Sequence, residues 1–294
     1  MLYLAALSDA RDTLEWREIM QKLLTIILII FGFLGTAIAR ADIVVLIHGY
    51  LGSPVSWQNS GVLPQLEAAG WKRAGVVQQS ASGPLLTAAT PASPSDHQVY
   101  SVSLPSKAPA SLQADMLQSM LTALSQRHPD QHITLIGHSA GGVVARLALV
   151  KYGAGQVNRL ITIASPHLGT GRAIQALDET GGSGPVGFVK SFFGGDVYHT
   201  VKQSTGLMLD LVPSRPGNML YWLNSRQHPE VEYISIVRGV DVENSGDELV
   251  PGYSQDMNRV PALHGKSQLY FVPTRHVLTP ADGEVLALLL ESAY

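Results

Sequence analysis

The stretch "ITLIGHSAGGVVARLALVKYG", residues 133–153, constrains this chain more than any other. Four apolar or β-branched residues end at Gly137, a corner of small residues carries His138 and Ser139, and a helical pattern starts at once on Gly141 and Gly142. A strand that runs straight into a helix is the repeating unit of a parallel sheet covered on both faces. Its tight turn lifts the residue at the corner above the strand end, beside the positive pole of the helix. The match Gly137-His138-Ser139-Ala140-Gly141 to G-x-S-x-G is weak alone, because chance supplies it often. Its place between strand and helix gives it weight. A serine that only caps a helix would not need glycines two residues before and after it. The spacing therefore marks Ser139 as a candidate nucleophile.

The rest of the chain fits the same architecture. Short β-branched or aromatic runs occur at 43–47, 99–104, 133–136, 159–164, 233–237 and 269–272, and such runs bounded by Gly and Pro read as buried strands. Helical patterns lie between or after them at 62–69, 111–127, 141–152 and 281–292. This alternation predicts an α/β fold with a mostly parallel sheet of about six strands, whose ligands bind at the strands' carboxyl ends. Residues 78–97, rich in Ser, Ala, Pro and Thr, read as a surface loop. The interval 166–230 is too long for a plain connection, and within it a lid or cap is expected at about 170–225. A G-x-G-x-x-G match at Gly182, Gly184 and Gly187 has no strand before it and is broken by Pro185, so it is no nucleotide signal.

Residues 1–41 read separately from this domain of 42–294. From Met20 the chain carries a Lys, an apolar stretch from Leu23 to Ala39 and then Ala39-Arg40-Ala41, the three parts of a secretory signal peptide with cleavage before Asp42. Met20 is the expected start, and the expected location is secreted or periplasmic. The alternative is an uncleaved membrane anchor, since 17 apolar residues sit at the lower edge of a spanning helix. A net charge of −3 with no basic stripe gives no case for nucleic acid. The absence of cysteine excludes disulfides, thiolate metal sites and a cysteine nucleophile.

A serine hydroxyl needs a base to become a nucleophile, and the base needs an orienting acid. For a strand–serine–helix corner the chain order is Ser, then Asp or Glu, then His. His276, four residues past the run at 269–272, fits the base, with His264 in reserve. Asp247, in the loop after the run at 233–237, is favoured as the acid over Asp241, Glu243 and the weaker Asp256. Asp210 lies in the long interval and reads as a helix cap or pin. An oxyanion requires backbone donors. The expected ones are Ala140, directly after the nucleophile, and Tyr50, in the glycine-bearing loop "HGYLG" after the first strand.

With "HGYLGS", "LIGHSAGGVVARLAL", "ITIASPHLGTG", "GDELVPGYSQDMN" and "RHVLTP", the chain resembles the α/β-hydrolase superfamily and, within it, bacterial lipases and esterases. The resemblance implies a compact six-stranded version without the early antiparallel strands of larger members. It implies that the histidine of "SPHLGT", His167, is architectural, and it supports Asp247 through "GDELVP". It implies hydrolysis of acyl esters, with lipid as a substrate and a lipid interface as a contact. A phospholipase, thioesterase or acyltransferase with the same triad is the alternative. A non-catalytic, membrane-anchored binding protein is the rival of another class. Some lipases of this branch bind calcium near the histidine loop, but no ligand set stands out here. No cofactor, metal or obligate protein partner is expected.

Overall fold

A computed structural model of the chain describes residues 42–88, 93, 96–180 and 197–291. The N-terminal segment 1–41, and the glycines at 182, 184 and 187, lie outside these residues. Described strands are β1 (Ile43–Ile47), β2 (Lys72–Ser80), β3 (Gly83–Ala88), β4 (Gln98–Ser103), β5 (Ile133–His138), β6 (Val157–Ile163), β7 (Glu232–Arg238) and β8 (Ser267–Val272). They form one sheet in the order β3-β2-β4-β1-β5-β6-β7-β8, parallel throughout except for the β2–β3 pair.

The sheet corrects two expectations. It has eight strands rather than six, and the stretch read as a loop from 78 onwards begins with a hairpin across 72–88. The reason is physical. β3 is an edge strand that leaves most of its residues in solvent, so it needs no apolar run. β2 mixes Lys, Arg and Gln with just two buried apolar side chains, Ala74 and Val77. An edge strand and the half-exposed strand beside it lack the periodicity that reveals central ones.

Central strands show the opposite signature. Every residue of β1 is buried, because helices cover both faces. Ile43, Val45 and Ile47 point into one apolar layer while Val44 and Leu46 point into the other. The first layer is closed by α3 (Ala110–Arg127) and α4 (Ala140–Tyr152), through residues such as Leu117, Met120, Val143 and Leu147. The second is closed by α1 (Pro54–Asn59), α2 (Val62–Ala68) and α10 (Pro280–Glu291), through Trp57, Leu63, Leu66, Leu286 and Leu290.

Described parts of the 170–225 interval are helical: α5 (Gly171–Thr180), α6 (Val197–Gln203), α7 (Thr205–Leu211) and α8 (Met219–Asn224). Leu207, Met208, Leu211, Leu220 and Leu223 join the first apolar layer. The Asp210 carboxylate accepts the Ala110 N–H at 2.7 Å, which makes it the cap of α3. The described helices α5, α7 and α8 thus contribute to a packed layer on the body of the fold.

Candidate active site

β1 has β4 on one side and β5 on the other, so the chain reverses its direction of winding there. Such a switch point opens a crevice at the strands' carboxyl ends. The loop after β1 and the corner after β5 both face it. Ser139 joins β5 to α4 with φ 53° and ψ −127°, a backbone that L-residues rarely adopt. The flanking glycines are required by contact. A Cβ on Gly137 would lie 2.5 Å from the Gly142 Cα, and one on Gly141 would lie 2.5 Å from the carbonyl oxygens of Ile47 and His48. The corner is therefore wedged between its own helix and the first strand.

The serine hydroxyl donates to His276 Nε2 at 2.8 Å. His276 Nδ1 donates to Asp247 Oδ2 at 3.0 Å. The Asp247 side chain is 1% exposed and that of His276 9%, so the link between them is largely shielded from water. Asp247 Oδ1 accepts the N–H groups of Leu249 and Val250, each at 2.8 Å. Burial would raise the carboxyl's pKa, but the hydrogen bond and charge of His276, with those two amides, outweigh it and hold it below the ordinary value. The acid is thus ionised at neutral pH and fixes which imidazole nitrogen carries the proton.

The loop after β1 reaches this group from the other side. A Cβ on Gly49 would stand 2.9 Å from the Ser139 Cβ and 3.5 Å from the Ala140 nitrogen. Buried His48 holds the loop's shape: its Nε2 accepts the Leu104 N–H at 3.2 Å, so its Nδ1 donates to the Gly49 carbonyl at 3.1 Å. Burial lowers its pKa and keeps it neutral. Tyr50 follows, half-buried against the first apolar layer. Ala140 is the first residue of α4, where a helix leaves its N–H groups without an internal carbonyl. Leu51, Ser139 and Ala164, just beyond β1, β5 and β6, are the non-glycine residues with positive φ among those described.

The other candidates lie elsewhere. His264 is exposed, with Nδ1 donating to the Asn258 carbonyl at 3.1 Å. Asp241 and Glu243 are exposed, and Asp241 accepts the Asn244 N–H of a tight turn. Asp256 caps the short helix at Met257–Arg259. His167 is fully buried, with Nε2 against the Thr162 hydroxyl at 3.1 Å.

Four contributors escaped the sequence reading. His138, beside Ser139, donates from Nε2 to the His276 carbonyl at 2.9 Å. Its pKa is lowered to about 3 by burial and by the neighbouring His276, so it stays neutral. Arg238, at the end of β7, forms a fully buried bidentate pair with Asp282 and donates to the Val277 carbonyl at 3.2 Å. Gln255, in α9 (Gly252–Gln255), donates to Asp247 Oδ2 at 2.9 Å. A charge closing an apolar strand, as in "YISIVR", signals a buried partner; nothing local signals Gln255.

Comparison with known proteins places the chain. Residues 42–233, well over half its length, match the family model described as alpha/beta hydrolase fold. It is similar to a GPI inositol-deacylase of Aspergillus fumigatus, 32% identical over 148 residues, covering 48% of this chain and 10% of that protein. The chain thus spans about a tenth of the length of the curated relatives it matches. Among solved structures, the mature lipase BlEst2 of Bacillus licheniformis superposes with a TM-score of 0.55 at 15% identity, covering 86% of this chain and 91% of that one. A lipase-esterase related protein of Clostridium acetobutylicum gives 0.52 at 12% identity, covering 85% and 93%. The winding of the sheet, the serine corner at its switch point and the matched sequence agree: the chain belongs to the alpha/beta hydrolase fold family.

Proposed function

We propose that the protein is a serine-dependent carboxylic-ester hydrolase that works outside the cytoplasm on acyl esters. The observation that carries this reading is the continuous relay from Ser139 through His276 to Asp247, at 2.8 and 3.0 Å, on a strained corner at the sheet's switch point. Ser139 Oγ attacks the ester carbonyl as His276 Nε2 takes its proton. The imidazolium is held by the ionised Asp247 and returns the proton to the leaving alcohol. Backbone N–H groups of Tyr50 and Ala140 stabilise the tetrahedral oxyanion. Water, activated by the same histidine, then releases the acid from the acyl-enzyme and restores Ser139.

The fungal relatives, by name deacylases of a GPI inositol, support an acyl chain esterified to an alcohol as the substrate class, with lipid included. The signal-like segment before Asp42 supports a secreted or periplasmic site of action. Hydrolysis of p-nitrophenyl esters of short and long acyl chains tests the reading. Ser139→Ala is expected to lower kcat at least about 10³-fold with the fold intact. Equal inertness of wild type and variant on every chain length would overturn it.

A further inference from the structure

The Asp247 carboxylate divides its two oxygens. Oδ1 is held by its own loop, through Leu249 and Val250. Oδ2 takes two donors, His276 Nδ1 at 3.0 Å and Gln255 Nε2 at 2.9 Å. The second donor cannot be an amide drawn the wrong way round. Gln255 Oε1 accepts the Arg238 backbone N–H at 2.9 Å, a group that only donates. The amide nitrogen must then face Asp247, and its other proton goes to the Val250 carbonyl at 2.8 Å. Gln255 is 1% exposed.

Its short helix is tied down independently of the triad. The Ser254 hydroxyl donates to the Gly169 carbonyl at 2.7 Å, and the Ser254 carbonyl accepts the His167 N–H at 2.8 Å. The donor therefore stands at a fixed place whatever state His276 is in.

We propose that Gln255 is a positioning residue for the triad, acting through Asp247 by competing with His276 for the same carboxylate oxygen and so restraining the basicity of the histidine. This rests on the triad reading above. A carboxylate that gives part of one oxygen to a neutral donor stabilises an imidazolium less than one that gives it wholly to the imidazole.

Other charged or titratable groups gather around this point. They are His138 from β5, Arg238 from β7 with Asp282 from α10, Glu248 from the acid loop, and Arg172 and Arg275 bound to Glu248. Of these, Arg238 bonds to Gln255 through its backbone N–H, and Gln255→Glu keeps an acceptor for it, so a shift of His276 shared by both variants reports on the donor to Asp247.

The test follows the ring signals of isotope-labelled histidine by NMR across pH in wild type, Gln255→Met and Gln255→Glu, beside pH–rate profiles on p-nitrophenyl esters. Removing the donor in Gln255→Met is expected to raise the His276 pKa by about 0.5–1 unit. It is expected to lower kcat by about 2- to 10-fold at neutral pH, with KM changed less than twofold. Gln255→Glu keeps the acceptor for Arg238, adds negative charge beside Asp247, and is expected to raise the His276 pKa further. An unmoved His276 pKa in a folded variant overturns the proposal, even if activity falls. Should both variants fail to fold, the wild type still decides. The Gln255 side-chain amide protons must titrate together with His276, and their indifference to that titration overturns the proposal. Because the NMR readout needs no turnover, failure of ester hydrolysis and failure of this inference are separable.

Discussion

Two arginines, Arg146 and Arg238, are wholly buried, and the fold treats them in opposite ways. Arg238 meets a carboxylate: Asp282 takes its guanidinium with both oxygens and accepts the N–H and hydroxyl of Thr279 at 2.8 and 3.2 Å. Through the Val277 carbonyl the pair fastens the loop that carries His276. Arg146, on α4 behind Ser139, meets neutral groups: Asn224 Oδ1 at 2.7 Å, His228 Nε2 at 3.2 Å and the His167 carbonyl at 3.3 Å. Burial lowers its pKa to about 9. One arginine is a charge locked by a charge, close to His276. The other is a branching donor that stitches α4, the loop after β6 and α8 together. A buried cation can thus be used for its charge or for the geometry of its donors, and the two uses fail differently.

The largest effect separating them is the loss of one half of the ion pair. Asp282→Asn or Arg238→Met is expected to cost about 3–5 kcal/mol in urea unfolding, because the remaining charge is left buried and uncompensated. Arg146→Met, which keeps much of the stem's packing and removes a poorly solvated charge, is expected to cost less than about 2 kcal/mol. Equal losses for Arg146→Met and Arg238→Met would break the comparison.

The smallest effect sharpens it through pH. Burial and the nearby Arg146 lower the His228 pKa to about 4, below the value of 6.5 in an unfolded chain. Between those values the unfolded state binds the proton and the folded state does not. This contribution is therefore whole above pH 6.5, drains away as pH falls from 6.5 towards 4, and levels off below that. His138, His48 and His167 act in the same direction. The melting temperature of the wild type is expected to fall across that window, and His228→Gln to flatten part of the fall. An unchanged slope in His228→Gln would remove His228 from the account.

What the sequence made legible follows from how burial writes itself into residues. All six apolar runs lie in strands and all four helical patterns in helices, within two residues of their ends: central strands buried on both faces need unbroken apolar signals, and β8, at the other edge with Val272 buried, is marked by its Tyr270-Phe271 pair. The β2–β3 hairpin was illegible for the converse reason, being an edge that water covers. Within the site, Ser139, Asp247 and His276 each had a local setting, a glycine-flanked corner or a loop directly after a strand. Gln255 and His138 act through contacts that only the closed fold creates, across 8 residues to Asp247 and 138 residues to His276, with no spacing rule to announce them.

The positive φ angles at Leu51, Ser139 and Ala164 carry a consequence for anyone who engineers this chain. A non-glycine residue held there costs about 1–3 kcal/mol, and glycine removes most of that strain. A laboratory screen that rewards heat resistance alone will therefore favour glycine at the corner after β5, the one residue whose hydroxyl meets His276. Selection for endurance and selection for reactivity pull on the same position, and a campaign that scores only the first will drift toward an inert protein with a better melting curve.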